Sequence, residues 1–463
     1  MTNTNEALRV QQFDGDLDDT AEDPRPPAFS DEALALRFAD LHVDDLRYVA
    51  AWNRWLMWDG TRWQFDDTLA VFSLIRLVCR SAAAQCNKAK IATALASAKT
   101  VAAVATLARS DRRLAATVGQ WDVDHWLLNT PAGVIDLRSG KMRACQPGDY
   151  MTKVATVAPD SRMPTPVWHN FLDRICAGDA ELIAFVQRLF GYALTGSTRE
   201  HELFFLHGSG ANGKTTLLNA IIGIMGDYHT TAAIETFTAT KQEHHPTDLA
   251  SLRGARLVTS VETEEGRRWA ESKIKALTGG DKIAARFMRQ DFFEFVPTFK
   301  LVIAGNHKPG LRSVDEAIRR RFHLLPFDVT IPVEDRDKHL NERLCVEWPG
   351  ILAWAITGCV QWQQRGLAPP DSVLRATAAY LDAEDAIAAW LDESGVRDPN
   401  AWETTKMLFT SWKLWTEQTG EYTGTMKRFV QNLESRGLTP VRRKYARGFQ
   451  GFRIGVSAEG EPG

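Results

Sequence analysis

Gly208-Ser209-Gly210-Ala211-Asn212-Gly213-Lys214-Thr215-Thr216 is the stretch whose residue types and spacing can do chemistry. It fits G-x-x-x-x-G-K-[ST], and its flanks suit that reading: Leu203 to Leu206 is an apolar run, and Leu217, Leu218, Ile221, Ile222 and Met225 follow at helical spacing. In the order strand, loop, helix, glycines 208, 210 and 213 let backbone N–H groups turn inward around a polyphosphate. The positive end of the helix adds to the same spot. Residues 208–216 would then wrap a nucleotide, with Lys214 reaching its β and γ phosphates and the Thr215 hydroxyl binding Mg²⁺.

Further segments have the character of partners to that loop. The apolar run 257–261 ends at Glu262, with Glu264 and Glu265 behind it, as a buried strand delivering carboxylates beside phosphates would. One acid would hold the Mg²⁺ shell and another would orient the attacking water. The run 299–304 ends at Gly305-Asn306, where an asparagine at a strand tip can bond a γ phosphate or that water. Arg319-Arg320-Arg321 precedes a fourth apolar run, and an arginine there can complete a neighbouring copy's site. Between these runs, 283–287 and 292–296 alternate as a hairpin. Arg286 and Arg289, with Lys273, Lys275 and Lys282 nearby, make it a candidate grip on a single strand's phosphates. Asp122 and Asp124 beside His125 resemble half of a two-metal site, but no apolar strand feeds them and no third carboxylate is evident, so a solvated turn is expected. His244 and His245 beside Asp248 likewise read as a solvated loop.

These segments need a chain long enough to position them. At 463 residues, 44% hydrophobic and 24% charged, two to four globular domains are expected. No apolar stretch near a membrane span stands out, no signal-peptide layout is visible, and a cytoplasmic protein with no membrane contact is expected. Six scattered cysteines without a C-x-x-C pair read as buried thiols. The net charge of −3 argues against wholesale coating of nucleic acid but leaves room for a local basic face.

Residues 1–32, with nine acids against two arginines, read as a disordered tail. Residues 33–165 form a mixed α+β N-terminal domain, with a small β element around Trp52, Trp55, Trp58 and Trp63, alanine-rich helix over 68–117, and strands and turns near 122–136. The proline-rich 159–166 reads as a linker into an α/β ATPase domain over 166–330. A helical linker or lid spans 331–372, and Pro369-Pro370 marks the way into a last domain over 373–463. There, helices near 404–418 and 425–433 precede a basic two-stranded element, the winged-helix pattern. From 421 to 455 the net charge is +6, and Lys427, Arg428, Arg442, Arg443, Lys444 and Arg447 are its candidate DNA contacts.

Taken together, GSGANGKTT (208–216), SVETEEG (260–266), the segment 274–300, LVIAGNHKP (301–309) and DEAIRRRFHLLPF (315–327) resemble the superfamily 3 helicases, in the phage and plasmid primase-helicase branch that is also similar to the poxvirus primase-helicase. WDGTRW and NTPAGVIDL resemble the domain that precedes the ATPase in that branch. The resemblance implies an AAA+ type P-loop ATPase with a parallel sheet. It would act as a hexameric ring of identical copies that hydrolyses ATP with Mg²⁺, translocates on single-stranded DNA and opens forked DNA in phage, prophage or plasmid replication within a bacterial host.

By position, Lys214 and Thr215 take the Walker A roles, Glu262 the Walker B acid and Asn306 the sensor, while Arg321 best fits the arginine finger, with Arg320 next. Arg289 becomes the leading DNA contact. Many members place two acids side by side in Walker B, whereas Thr263 separates Glu262 from Glu264 here, leaving open which acts on water. Many also carry a separate primase domain upstream, where this chain has about 32 tail residues, so no primer synthesis is expected from it and a separate primase or other replication proteins are possible partners. The alternative is an origin-binding ATPase switch or loader that does not itself unwind.

Overall fold

A computed structural model describes residues 26–239, 247–261, 267–288, 291–311, 314–443 and 446–455. These fall into two compact units, one holding the residues up to Asp59 with Trp63–Trp121, the other Gly60–Arg62 with everything from Asp122 onward.

The first unit opens with helix α1 (Asp31–His42), whose N-terminus is capped by the Ser30 hydroxyl accepting from the Ala33 N–H. This helix starts inside the stretch read as tail, because Ser30 followed by two acids is a helix start. Strands β1 (Leu46–Val49), β2 (Arg54–Trp58) and β3 (Trp63–Phe65) follow, then helices α2 (Ala70–Gln85), α3 (Ala89–Leu95) and α4 (Ala98–Ala108) and the short β4 (Ala115–Ala116). The sheet order is β3-β2-β1-β4. Phe38, Trp55, Ile75, Cys79 and Val104 fill the core beneath it.

The second unit starts with a three-stranded sheet, β5 (Leu127–Thr130), β6 (Gly133–Asp136) and β7 (Lys141–Arg143), followed by helices α5 (Pro166–Ile175) and α6 (Ala180–Ala193). Then come β8 (Leu203–His207), α7 (Lys214–Met225), β9 (His229–Thr231), α8 (Thr247–Ala250), β10 (Leu257–Val261) and α9 (Glu271–Gly279). A small hairpin, β11 (Ile283–Ala285) with β12 (Phe293–Phe295), leads into β13 (Lys300–Gly305), α10 (Glu316–Arg319) and β14 (Phe322–Pro326). The main sheet is parallel throughout, in the order β14-β8-β13-β10-β9. Its central strands are apolar runs buried end to end, as a sheet covered on both faces demands.

The boundary between units falls at 121, not at 159–166. Leu128, Ile135 and Leu137 share one core with α5, α6 and β8, the Asn129 N–H donates to the Tyr228 hydroxyl at 3.1 Å, and the Thr156 N–H donates to the Ile224 carbonyl at 3.0 Å. The prolines of 159–166 mark a strap running over that core; the Asp160 N–H bonds the Pro349 carbonyl at 3.0 Å.

Helix α11 (Leu340–Arg365) closes the core against α6. It is long and apolar enough to cross a membrane by length and composition, which the sequence reading did not anticipate, and half of that window is buried inside the unit. The buried Glu347 carboxylate caps α5, accepting from the N–H groups of Val167 at 3.0 Å and Trp168 at 2.8 Å. Two glycines let α6 and α11 touch backbone to backbone. A Cβ on Gly191 would sit 2.1 Å from the Cys359 nitrogen, and one on Gly358 2.1 Å from the Gln187 carbonyl oxygen.

After α12 (Asp371–Ala383), the chain ends in α13 (Ala386–Ser394), β15 (Gly395–Thr404), α14 (Thr405–Thr419), α15 (Met426–Ser435), β16 (Thr439–Arg442) and β17 (Arg447–Ile454). The strands form an antiparallel sheet in the order β15-β17-β16, over a core of Trp390, Trp412, Phe429, Leu433 and Phe452. Strand β15 is the element that sequence reading missed. Asp398-Pro399-Asn400 resembles a turn, and indeed its pairing with β17 breaks between Asp398 and Trp402. All six cysteines are free, and the buried-thiol expectation holds for Cys79, Cys176 and Cys359 but not for the half-buried Cys86 and Cys145 or the exposed Cys345.

Replacing Gly191 by alanine should force α6 and α11 apart and lower the stability of the second unit by about 1–3 kcal/mol, as overpacking does. Thermal unfolding followed by near-ultraviolet circular dichroism measures this, and an unchanged transition would show that the two helices do not meet at backbone contact.

Candidate phosphate-binding site

The sheet's geometry sets the site. In parallel register Leu203 lies beside Leu301 and Phe322, and His207 beside Gly305 and Pro326, so the carboxyl ends of β8, β13 and β14 meet at one edge. The loop 208–213 leaves β8 there and enters α7 at Lys214. Ligands of open α/β sheets bind at this edge.

Several loop positions admit few alternatives. A Cβ on Gly208 would lie 2.0 Å from the Asn212 Nδ2 and 2.3 Å from the Phe327 carbonyl oxygen. Gly213 holds φ +82°, and a Cβ there would come 2.4 Å from the Ile175 Cγ2. Gly210 and Ala211 also have positive φ, which turns the loop back on itself. Asn212 is buried and works at both ends, its Nδ2 donating to the Phe327 carbonyl at 3.0 Å and its Oδ1 accepting from the Lys214 Nζ at 2.9 Å. Its fastening to the end of β14 was not legible from sequence, which marked it only as a loop residue.

Lys214 is only 6% exposed. Its ammonium donates to the Gly208 carbonyl at 2.8 Å, the Asn212 Oδ1 at 2.9 Å and the Asn306 Oδ1 at 3.2 Å, and no carboxylate pairs with it among the described residues. Burial lowers its pKa to about 8. Asn306, just past β13, is thereby brought to the loop, as the sequence suggested. Ser209 and Thr215 are exposed at the mouth, and Thr216 is half-buried. A compact cation bonded only to neutral oxygens, beside the open first turn of a helix, suits a polyphosphate.

Beside the loop opens a cavity of about 440 Å³. Its apolar walls include Val167 and Phe171 of α5 and Ile331 and Leu340, and Ala211, Gly213 and Thr216 join it to the loop. An Arg174–Asp335 ion pair lies at its rim. The only advance signal was the apolar face of 168–175, which the sequence does show.

Glu262 and Glu264 lie outside the described residues; β10 stops just before them at Val261, which pairs with Ala304 near the end of β13. Arg320 and Arg321 stand at the other end of the sheet, where the Leu203 N–H donates to the Arg321 carbonyl at 2.7 Å. The five residues of β8 separate them from the loop by roughly 15 Å at ~3.3 Å per residue, so neither arginine meets the loop of its own chain. Arg321 is buried, with its Nη1 donating to the Ala317 carbonyl at 2.9 Å and its Nε without a hydrogen-bond partner among the described residues. Arg320 is exposed.

In the hairpin, Arg286 stacks over Phe292 at 4.8 Å, while Arg289 lies outside the described residues. In the C-terminal unit Lys427, Arg442, Arg443 and Arg447 are exposed, and Arg443 lies 4.5 Å from the Trp402 ring. Lys444 and the Arg428 side chain lie outside the described residues. Asp122 and Asp124 sit in turns, Asp122 accepting from the Thr152 N–H at 2.9 Å and Asp124 from the Trp126 N–H at 2.9 Å. Among the described residues no three His, Cys, Asp or Glu side chains converge as metal ligands. His244 and His245 lie outside the described residues.

Strand, glycine-rich loop and helix at the carboxyl edge of a parallel sheet make this an α/β P-loop fold. Residues 35–177 match the family described as "D5 N terminal like", and residues 206–321 match a "Family of unknown function (DUF5906)". The chain is 23% identical over 375 residues to "Putative helicase 022R" of frog virus 3 (isolate Goorha), an alignment covering 75% of this chain and 36% of that protein. It is 24% identical over 303 residues to "Putative helicase L207/L206" of Acanthamoeba polyphaga mimivirus, covering 60% and 31% respectively. The chain thus spans about a third of the length of these relatives. Its fold is similar to the apo C-terminal region of NrS-1, with a TM-score of 0.52 at 10% identity, over 91% of this chain and 99% of that one. A second apo structure of that region gives 0.52 over 92% and 100%. The chain thus carries a D5 N-terminal-like segment ahead of one matching a family of unknown function, is similar to viral putative helicases, and resembles the phage and plasmid primase-helicases.

Since bound phosphate would hold the Lys214 ammonium charged, ATP affinity should fall as pH rises above about 8. The limiting slope is about tenfold per pH unit, with proton uptake on binding. Titration calorimetry in buffers of different ionisation enthalpy checks both, and a flat profile from pH 7.5 to 9.5 would exclude Lys214 as the phosphate contact.

Proposed function

We propose that this chain is the motor portion of an ATP-driven DNA helicase, of AAA+ type, acting in phage, prophage or plasmid replication. The observation that carries this is the Lys214 ammonium, buried at the carboxyl edge of the sheet and bonded, among the described residues, to the Gly208 carbonyl and the amide oxygens of Asn212 and Asn306. Residues 208–216 would cradle the phosphates, and the cavity between α5 and Leu340 has the room and apolar walls to take a base. Thr215, with Glu262 or Glu264, would hold Mg²⁺, which when bound spreads charge from the β and γ oxygens. Asn306 is placed to exchange its bond to Lys214 for one to the terminal phosphate or the attacking water.

Because Arg320 and Arg321 sit at the sheet's opposite end, a finger supplied by either would come from a neighbouring copy, which fits a ring of identical chains. Exposure favours Arg320 over Arg321 for that role. The hairpin would meet a single strand through Arg286, Arg289 and the exposed Phe292. The α13-β15-α14-α15-β16-β17 order supports reading this end as a winged helix, in which Lys427, Arg428, Arg442, Arg443, Lys444 and Arg447 would face phosphates.

Lys214→Ala should abolish ATP hydrolysis. Arg320→Ala should cut kcat by about 10³-fold or more, as arginine fingers do, with ATP affinity little changed. Turnover measured beside nucleotide binding tests both, and hydrolysis surviving in Lys214→Ala would refute the site. Release of a strand from a forked duplex separates a helicase from an ATPase that only recognises or loads.

A further inference from the structure

Three parts of the second unit converge on the turn between α12 and α13. Arg319, which precedes Arg320, reaches Asp382 at 3.2 Å and the buried Asp385 at 3.4 Å. The other oxygen of Asp385 pairs with Arg436, just past α15 in the C-terminal unit, and also accepts from the Ala388 N–H at 3.2 Å to cap α13. One carboxylate thus ties two arginines from distant parts of the chain. The same turn holds the segment that follows Asn306. The Leu311 N–H donates to the Glu384 Oε2 at 2.8 Å, and the Tyr380 hydroxyl donates to the Pro309 carbonyl while accepting from the Trp269 Nε1 at 2.9 Å.

Surface ion pairs are worth little, but Asp385 is 7% exposed and its oxygens are taken up by Arg319, Arg436 and a helix cap. Of the eight basic residues between 421 and 455, Arg436 is turned inward to this carboxylate, so its charge serves an internal contact. Movement of the Asn306 segment or of α10 therefore bears on the turn that also positions α15.

We propose that the α12–α13 turn couples the nucleotide site to the basic C-terminal unit, with Asp385 as a positioning residue that bridges Arg319 and Arg436. This rests on the ATPase reading above and adds a route by which DNA held at the C-terminal end alters hydrolysis. Coupling is reciprocal, so nucleotide would alter DNA affinity by the same route.

The experiment compares ATP hydrolysis by the full chain with and without oligo-dT, in wild type, Arg436→Gln and Arg436→Lys. Arg436→Gln removes one arm and leaves Asp385 paired with Arg319, so no buried charge is orphaned. The DNA-free rate should stay near wild type while stimulation by oligo-dT falls at least about fivefold, the low end of a coupling between sites. Arg436→Lys, which keeps the charge, should recover much of it. Asp385→Asn should lose stimulation in the same way, with thermal unfolding recorded alongside because it also weakens the α13 cap. Stimulation in Arg436→Gln equal to wild type would overturn the proposal, as would equal loss of basal and stimulated rates with a lowered melting temperature. No hydrolysis by wild type under any condition would instead refute the ATPase reading, and this inference with it.

Discussion

The buried ammonium of Lys214 is the constraint around which the rest is arranged. A charge so enclosed costs free energy unless it is bonded, and among the described residues its bonds go to neutral oxygens of the loop and of Asn306. Gly208 leaves room for Asn212, Asn212 ties the loop to Phe327, and Gly213 lets the loop pass tight against α5. Burial lowers the Lys214 pKa to about 8, and a partner more negative than a carbonyl would hold it charged.

A parallel sheet has two unlike ends, and the candidate residues divide between them. Loop, Asn306 and cavity lie at the carboxyl end, while Arg320 and Arg321 lie at the other. A single chain therefore cannot bring Arg320 or Arg321 to its own loop, and a site that used either would be built between copies. The α12 helix lies along the outer strand, where the Thr377 hydroxyl accepts from the Leu324 N–H at 2.9 Å and so covers the sheet edge that bears Arg321. From there the chain passes straight into the C-terminal unit.

Much of this was legible in sequence where the signal is local. The loop 208–213 is a motif of consecutive residues, strands β8, β10, β13 and β14 are short runs rich in apolar residues, and the face of Trp168, Phe171, Leu172 and Ile175 follows helical spacing. What was not legible depends on residues distant in the chain. Pro159 to Pro166 reads as a linker because the bonds that pin the neighbouring strap come from Ile224, Tyr228 and Pro349. Strand β15 exists only by pairing with β17 some fifty residues later. Arg320 and Arg321 are adjacent in sequence and differ only in which way the end of α10 turns them.

The most direct test of a site shared between copies is to mix two inactive forms, Lys214→Ala and Arg320→Ala, and measure ATP hydrolysis in the presence of single-stranded DNA. If each site takes its loop from one chain and its arginine from the next, intact sites re-form where an Arg320→Ala loop faces a Lys214→Ala arginine, and turnover should rise well above that of either form alone. Turnover that stays at the sum of the two separate forms, in a mixture shown by mass measurement to co-assemble, would contradict the account.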